Sequence, residues 1–224
     1  MHIQQDILQE NNLLEERKNK SEREKNMFKT IKENVSAEIV EKKSKFIANI
    51  FYVETREEAE NIIKDINKKY HDARHNCYAY RIYSESGIIE KSSDDGEPSG
   101  TAGAPVLTIL SKNNLANVLV IVTRYFGGIL LGTGGLVKAY SSATTVALEN
   151  ANVIEKNIAE LYKIQIDYTD LNKFKYFANK NNINILKEEY LINIELEIGL
   201  LDEKILDKNE INIKKKEFIK KIFV

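Results

Sequence analysis

Cysteine occurs once, at Cys77, proline twice and tryptophan not at all in a chain of 224 residues. One cysteine excludes an internal disulfide framework and fits a reducing compartment. No apolar stretch approaches the roughly 20 residues that a membrane-spanning helix needs. The start, MHIQQDILQENN, lacks the basic-then-apolar pattern of a signal peptide, so the expected location is cytoplasmic, with no membrane partner. An excess of charge is missing as well. The net charge is −1, and the balance persists along the chain: residues 1–26 hold five basic and six acidic side chains, 27–156 sixteen of each, and 157–224 twelve of each. Global charge therefore gives no support to nucleic-acid binding, and any such surface has to be a local patch.

What the chain has is 42% hydrophobic and 30% charged residues, enough length to bury a real core and room for two domains. Residues 1–26, with EERKNKSEREK, read as a solvated helix or a disordered arm. Met27 follows, the only methionine besides Met1; it is either the natural start of translation or the end of a genuine appended helix. Strand-like runs are expected at Ala37–Val40 and Phe46–Val53. Thr55-Arg-Glu-Glu58 is a capping-box pattern that opens a helix, and Ala59, Ile62, Ile63, Ile66 and Tyr70 give that helix an apolar stripe. Cys77–Tyr83 alternates as a strand. Ser84–Ser99 reads as an acidic, turn-rich loop containing Glu85, Glu90, Asp94 and Asp95, and Thr101–Lys112 as a short helix. Val118–Val122 is continuously apolar, as in a strand covered on both faces. From about Ile154 the pattern restarts. An alternating strand around Tyr162–Tyr168, a helix capped by Asp170, strands at Ile183–Tyr190 and Ile192–Ile198, a second helix at Leu200–Asp207 and a last segment, Ile211–Val224, give the order βαββαβ. KKKEFIKKIFV in that last segment suits helix as well as strand.

The segment Ser99–Tyr140 holds seven of the ten glycines: Gly100, Gly103, Gly127, Gly128, Gly132, Gly134 and Gly135. Glycine weakens regular structure through its backbone entropy, so a cluster marks backbone that bends sharply or approaches something closely. Here the apolar strand runs into FGG, and GTGG opens a helix-like stretch from Leu136 to about Glu149. A strand, a glycine loop and a helix N-terminus gather free N–H groups and a positive dipole end for an anion. The loop is neither a P-loop nor a G-x-G-x-x-G dinucleotide fingerprint. The plain alternative is that these glycines only permit tight turns and close helix–strand packing.

Four strings lie in one order: SKFIA at Ser44–Ala48, DARHNCYAY at Asp72–Tyr80, DDGEPSGTAGAP at Asp94–Pro105 and TRYFGGILLGTGGLVKAY at Thr123–Tyr140. Together they resemble the YigZ/IMPACT family over roughly Phe28–Ala151, with a weaker match through the last third. The resemblance implies an α+β protein. Residues 27–156 would share the fold of the second domain of a small-subunit ribosomal protein. Residues 157–224 would form a ferredoxin-like βαββαβ domain similar to the fifth domain of elongation factor G. It also implies a translation-linked accessory function, with RNA, the ribosome or a translation-regulatory protein as partner and no cofactor. An enzyme acting on a phosphorylated or small-molecule substrate at the Asp94–Glu97 and Gly127–Gly135 loops, and a protein-binding module, are the alternatives.

Candidate chemistry falls in three places. Arg124 and Tyr125 end the apolar strand just before Gly127-Gly128, where an arginine can meet phosphate bidentately. Lys138 stands near the start of the helix after Gly132, Gly134 and Gly135, where a cation opposes the dipole unless an anion binds. The plain reading pairs Lys138 with Asp94 or Asp95. Asp94, Asp95 and Glu97, with Ser99 and Thr101 after them, form a possible functional loop that holds Mg²⁺ or works as acid and base, or else is an ordinary acidic turn. His71, His75 and Cys77 are weak metal candidates without a fourth ligand in zinc-site spacing, and His75 with Cys77 is a weaker nucleophile pair. The plain reading makes Cys77 a small buried apolar residue.

Overall fold

The computed structural model describes residues 27–84, 86–208 and 211–224. The charged arm 1–26 and Glu85 lie outside the described residues. Two units are distinguished, Phe28–Glu155 and one that contains Lys156–Val224.

The first unit opens with β1 (Met27–Ile31), which sequence reading did not anticipate. Its Lys29 pairs with the segment after the second helix, through Lys29 N to Asn114 O and Ala116 N to Lys29 O. Then follow β2 (Val35–Glu41) and β3 (Ser44–Tyr52), joined by a tight turn in which Lys42 and Lys43 take positive φ. Helix α1 (Arg56–Lys69) starts as the capping pattern predicts. Thr55 Oγ1 accepts the Glu58 N–H at 3.1 Å, and Glu58 reaches back to the Glu54 N–H at 2.9 Å. Strand β4 (His75–Ser84) begins two residues earlier than predicted. Half of the expected acidic loop is in fact β5 (Gly87–Ser93), which turns back on β4 and pairs with it from Tyr78↔Ser93 to Ser84↔Gly87. The polar composition concealed it because β5 is an edge strand with one solvated face. Helix α2 (Gly103–Lys112), β6 (Val118–Tyr125) and α3 (Gly132–Glu149) complete the unit.

The sheet order is β2-β3-β6-β4-β5, every pairing antiparallel. β6 lies in the centre, which explains its unbroken apolar run. Val118, Val120 and Val122 join Phe46, Cys77, Val106, Leu110, Leu136 and Tyr140 in the core under α2 and α3. Leu119 and Ile121 face the other way, against Ala59, Ile63 and Ile66 of α1. Both faces of the strand are covered, so neither admits a polar residue cheaply. The expected α3 stripe of Leu136, Tyr140, Ala143 and Ala147 is buried, with Ala139 and Thr144 beside it.

The second unit carries β7 (Val153–Ile166, within which the division between units falls), α4 (Leu171–Lys180), β8 (Asn184–Tyr190), β9 (Ile194–Leu200) and β10 (Lys215–Phe223). The spatial order β10-β7-β9-β8, antiparallel throughout, is that of a ferredoxin-like sheet. Two local expectations change. The second helix is only a 3₁₀ segment, Glu203–Lys208, and Asp170 makes no side-chain cap. The ambiguous KKKEFIKKIFV is a strand, because Lys215–Phe223 finds a ladder partner in β7. Phe174, Ile164, Leu196 and Ile198 form this unit's core. Among the described residues no helix is long and apolar enough to cross a membrane.

Candidate functional site

Register assembles the site. On the face of the sheet under α2 and α3, Phe46 of β3, Arg124 of β6 and His75 of β4 stand side by side, with Cys77 opposite Val122 one pleat further along. The acidic turn after β5 folds over this row and delivers Glu97. Arg124 Nη1 donates to Glu97 Oε1, and the two side chains are only 6% and 3% exposed. Tyr140 of α3 donates its hydroxyl to the same oxygen at 2.9 Å. The guanidinium lies between two rings, 5.5 Å from the centroid of Phe46 and 5.6 Å from that of Phe126. Arg124 therefore does not offer a free guanidinium to solvent. Its charge is balanced inside the protein, because a charge carried this deep by a central strand needs a counterion.

His75 completes the cluster. Its Nδ1 is 2.7 Å from the Asp95 carbonyl oxygen, which can only accept, so Nδ1 carries the proton and Nε2 points toward Glu97 Oε2 at 3.8 Å. Cys77 is fully buried; its Sγ donates to the Asp94 carbonyl at 2.9 Å and lies 3.3 Å from the Tyr140 hydroxyl. Burial, with the nearby carboxylates adding to it, pushes the thiol up to about 12. A thiol held there is no nucleophile at neutral pH. Burial likewise raises Tyr140 well above the ordinary phenol range, so it stays a donor. His71 is elsewhere, exposed and bonded to the Lys68 carbonyl. Among the described residues no three His, Cys, Asp or Glu side chains gather as metal ligands.

The other acids are engaged locally. Asp94 accepts the backbone N–H groups of Gly100, Ala102 and Gly103 at 2.8–2.9 Å and so caps α2 from eight residues upstream of Ala102. Desolvation alone would raise its carboxyl, but the three N–H bonds together outweigh that and hold it below the usual range. Asp95, at φ +43°, accepts the Asn76 N–H at 2.6 Å. Thr101 is buried and bonded to the Pro98 carbonyl, while Ser99 is exposed. The expected pairing of Lys138 with Asp94 or Asp95 is thus not what these acids do.

Beside the cluster lies a cleft of about 420 Å³. One side is polar: Arg74, His75, Glu97 and Arg124. The other is apolar: Phe126, Leu130, Leu131 and Leu136. Gly132 and Thr133, the first residues of α3, close its end. The glycines have distinct duties. At Gly127 a Cβ would stand 2.0 Å from the Lys43 carbonyl carbon, so the chain crosses the β2–β3 turn only as glycine. Gly132 opens α3 at φ +72°, in the left-handed region. GTGG is therefore the first turn of the helix rather than a turn before it. That turn carries no acidic residue and no side-chain cap, and a Cβ on Gly132 or Gly134 would meet nothing within 4 Å. Tyr125 lies outside the cleft, bonded to Asp72 at 2.9 Å under the Lys45 ammonium, and Lys138 is an exposed residue of α3 that does not line it. Arg74, Phe126 and Leu130 were not singled out from sequence, although Arg74 belongs to DARHNCYAY and the other two to the glycine string.

Comparison with known proteins covers both units. Residues 42–148 match the Impact N-terminal domain, and 164–207 match a domain of unknown function, DUF1949. The IMPACT family member YvyE of Bacillus subtilis is 40% identical over 75% of this chain and 77% of its own. The IMPACT family member YigZ of Escherichia coli is 33% identical over 74% and 82%. A solved hypothetical protein superposes with a TM-score of 0.60 at 31% identity, covering 81% of this chain and 89% of its own. Identity at this level along three quarters of both chains, over the strings that build the Glu97–Arg124 cluster and the cleft, places the chain in the IMPACT family.

Proposed function

We propose that this protein is a translation-linked accessory factor that binds RNA, free or in the ribosome, through the cleft at the start of α3. Family membership supports the translation link. The observation that carries the binding mode is the bare first turn of α3: free N–H groups without a cap or an acid, facing a cleft with Arg74 on one side and exposed Phe126 and Leu130 on the other. A helix N-terminus attracts anions, and an aromatic ring beside a cation suits a base next to its phosphate. The carboxylates that an enzyme reading would use are engaged with backbone N–H groups and Arg124. That arrangement favours binding over acid–base work.

Crosslinking in cells, followed by sequencing of bound RNA and identification of bound proteins, tests the proposal. The expected result is RNA crosslinked to peptides from 124–137, with binding that weakens steeply as salt rises. Arg74→Ala should shallow the salt slope by about one counterion while the fold persists. A protein partner captured without RNA, surviving nuclease, would replace this reading with a protein-binding module. Metal-dependent turnover on a substrate panel would replace it with an enzyme.

A further inference from the structure

The cleft holds one position for an anion rather than a row of them. Two arginines line it, and Arg124 is already neutralised by Glu97, which leaves Arg74 as the cation balanced by no acid among the cleft's own side chains. The N-terminal N–H groups of α3 provide the second source of positive potential. A backbone-tracking groove needs successive cations along its length, which this lining lacks. A second observation points to a ligand. Arg124 lines the cleft and is more than nine-tenths buried, yet its Nε–H meets no acceptor among the described residues. A buried donor on a charged side chain is costly to leave unpaired, and an anion oxygen is the acceptor it lacks. His75 Nε2 lines the same wall, with its Nδ1–H fixed by the Asp95 carbonyl.

We infer that this cleft binds a phosphate monoester, the terminal phosphate of an RNA strand or of a free nucleotide, with the phosphate on the first turn of α3 and the base against Phe126 and Leu130. The inference rests on the RNA-binding reading above and narrows it. A monoester carries a charge of about −1.5 to −2 at neutral pH and three acceptor oxygens, whereas an internal diester carries one charge. A helix end plus one free guanidinium therefore discriminates for the monoester. The Glu97 carboxylate does not oppose it, because Arg124 and the Tyr140 hydroxyl already satisfy Oε1 and cancel the charge. The bare glycines let the phosphate reach the backbone.

The test uses the full chain and one short single-stranded RNA sequence made with a 5′-phosphate, a 3′-phosphate or hydroxyls at both ends, with a nucleoside monophosphate as competitor. Binding is expected to be about tenfold tighter for a phosphorylated end, the size of one charge-assisted contact. The monophosphate should compete, and equal gain from either end would show that the site reads the monoester itself. Thr133→Asp places a carboxylate in the first turn of α3, where it suits the helix, so the variant should melt like the parent and lose the preference. Equal affinity of the hydroxyl-ended RNA, or an intact preference in Thr133→Asp, would overturn the inference while leaving RNA binding standing. Binding of the monophosphate without any RNA binding would uphold the site and overturn the RNA reading.

Discussion

Glu97 is the residue on which the site's electrostatics turn. It accepts from Arg124 and Tyr140 and faces His75, all within a nearly closed interior. Removing one partner of a buried ion pair leaves the other charge stranded, which costs about 3–5 kcal/mol. Glu97→Gln should therefore shift the denaturant midpoint strongly, whereas Asp65→Asn, which breaks the exposed Lys68–Asp65 pair, should leave it nearly unchanged. A small shift for Glu97→Gln would mean that the ion pair is not what holds the acidic turn down. Arg124→Ala is destabilising by the same argument, so it is unsuited to probing ligand binding. Asp94 gives a pH-dependent counterpart. Its folded-state pKa lies below the unfolded value, so its contribution is fully present above about pH 4 and is lost as pH falls through the lower folded value. Asp94→Asn should cost about 1 kcal/mol at neutral pH, as for loss of a helix cap. The gap between parent and variant should close on acidification. Denaturation curves at neutral pH and at about pH 3 check both the size and the sign.

Helix α3 shows at the level of an element why its glycines are not interchangeable. Gly127 sits against the Lys43 backbone, and a Cβ there would overlap the Lys43 carbonyl carbon. Gly127→Ala must push β6 away from the β2–β3 turn, and overpacking of this kind costs about 1–3 kcal/mol or more. Gly134 stands in the first turn with open space around it, so Gly134→Ala should stabilise by about 0.5–1 kcal/mol through lower backbone entropy in the unfolded chain. Thermal melts of the two variants should move in opposite directions. A loss of stability in Gly134→Ala would show that the bare turn is needed by the fold itself rather than by a ligand.

For the whole molecule, the division into two units predicts separable folding. The two clusters that sandwich the central sheet draw on residues between Ile31 and Ala151, and the remaining cluster on residues between Tyr162 and Ile213. A chain comprising 27–156 should unfold in one cooperative transition with the near-ultraviolet signature of packed tyrosines. Loss of cooperativity would show that the first unit depends on the second. Because residues 1–26 carry no apolar stripe long enough to dock, a chain beginning at Met27 should melt like the full chain.

Local pattern was enough to place most elements. The apolar run of β6, the cap at Thr55, the stripe of α3 and the alternation around Tyr162 each carry their own periodicity, and the four family strings order them into one fold. β1, β5 and β10 were illegible or ambiguous, since an edge strand with a solvated face has little apolar signal and acquires its identity from the strand it pairs with. The same limit separates the two halves of the site. That a glycine-framed helix start would follow Arg124 is written in the sequence, and so is the acidic turn before α2. Which acid meets the arginine is not. Glu97 lies 27 positions from Arg124 and 43 from Tyr140, and only the antiparallel register of β3, β6 and β4 and the fold of the turn over them join the three. Charge pairing across such distances depends on tertiary geometry, because burial decides which charges need a partner and the sheet decides which are within reach.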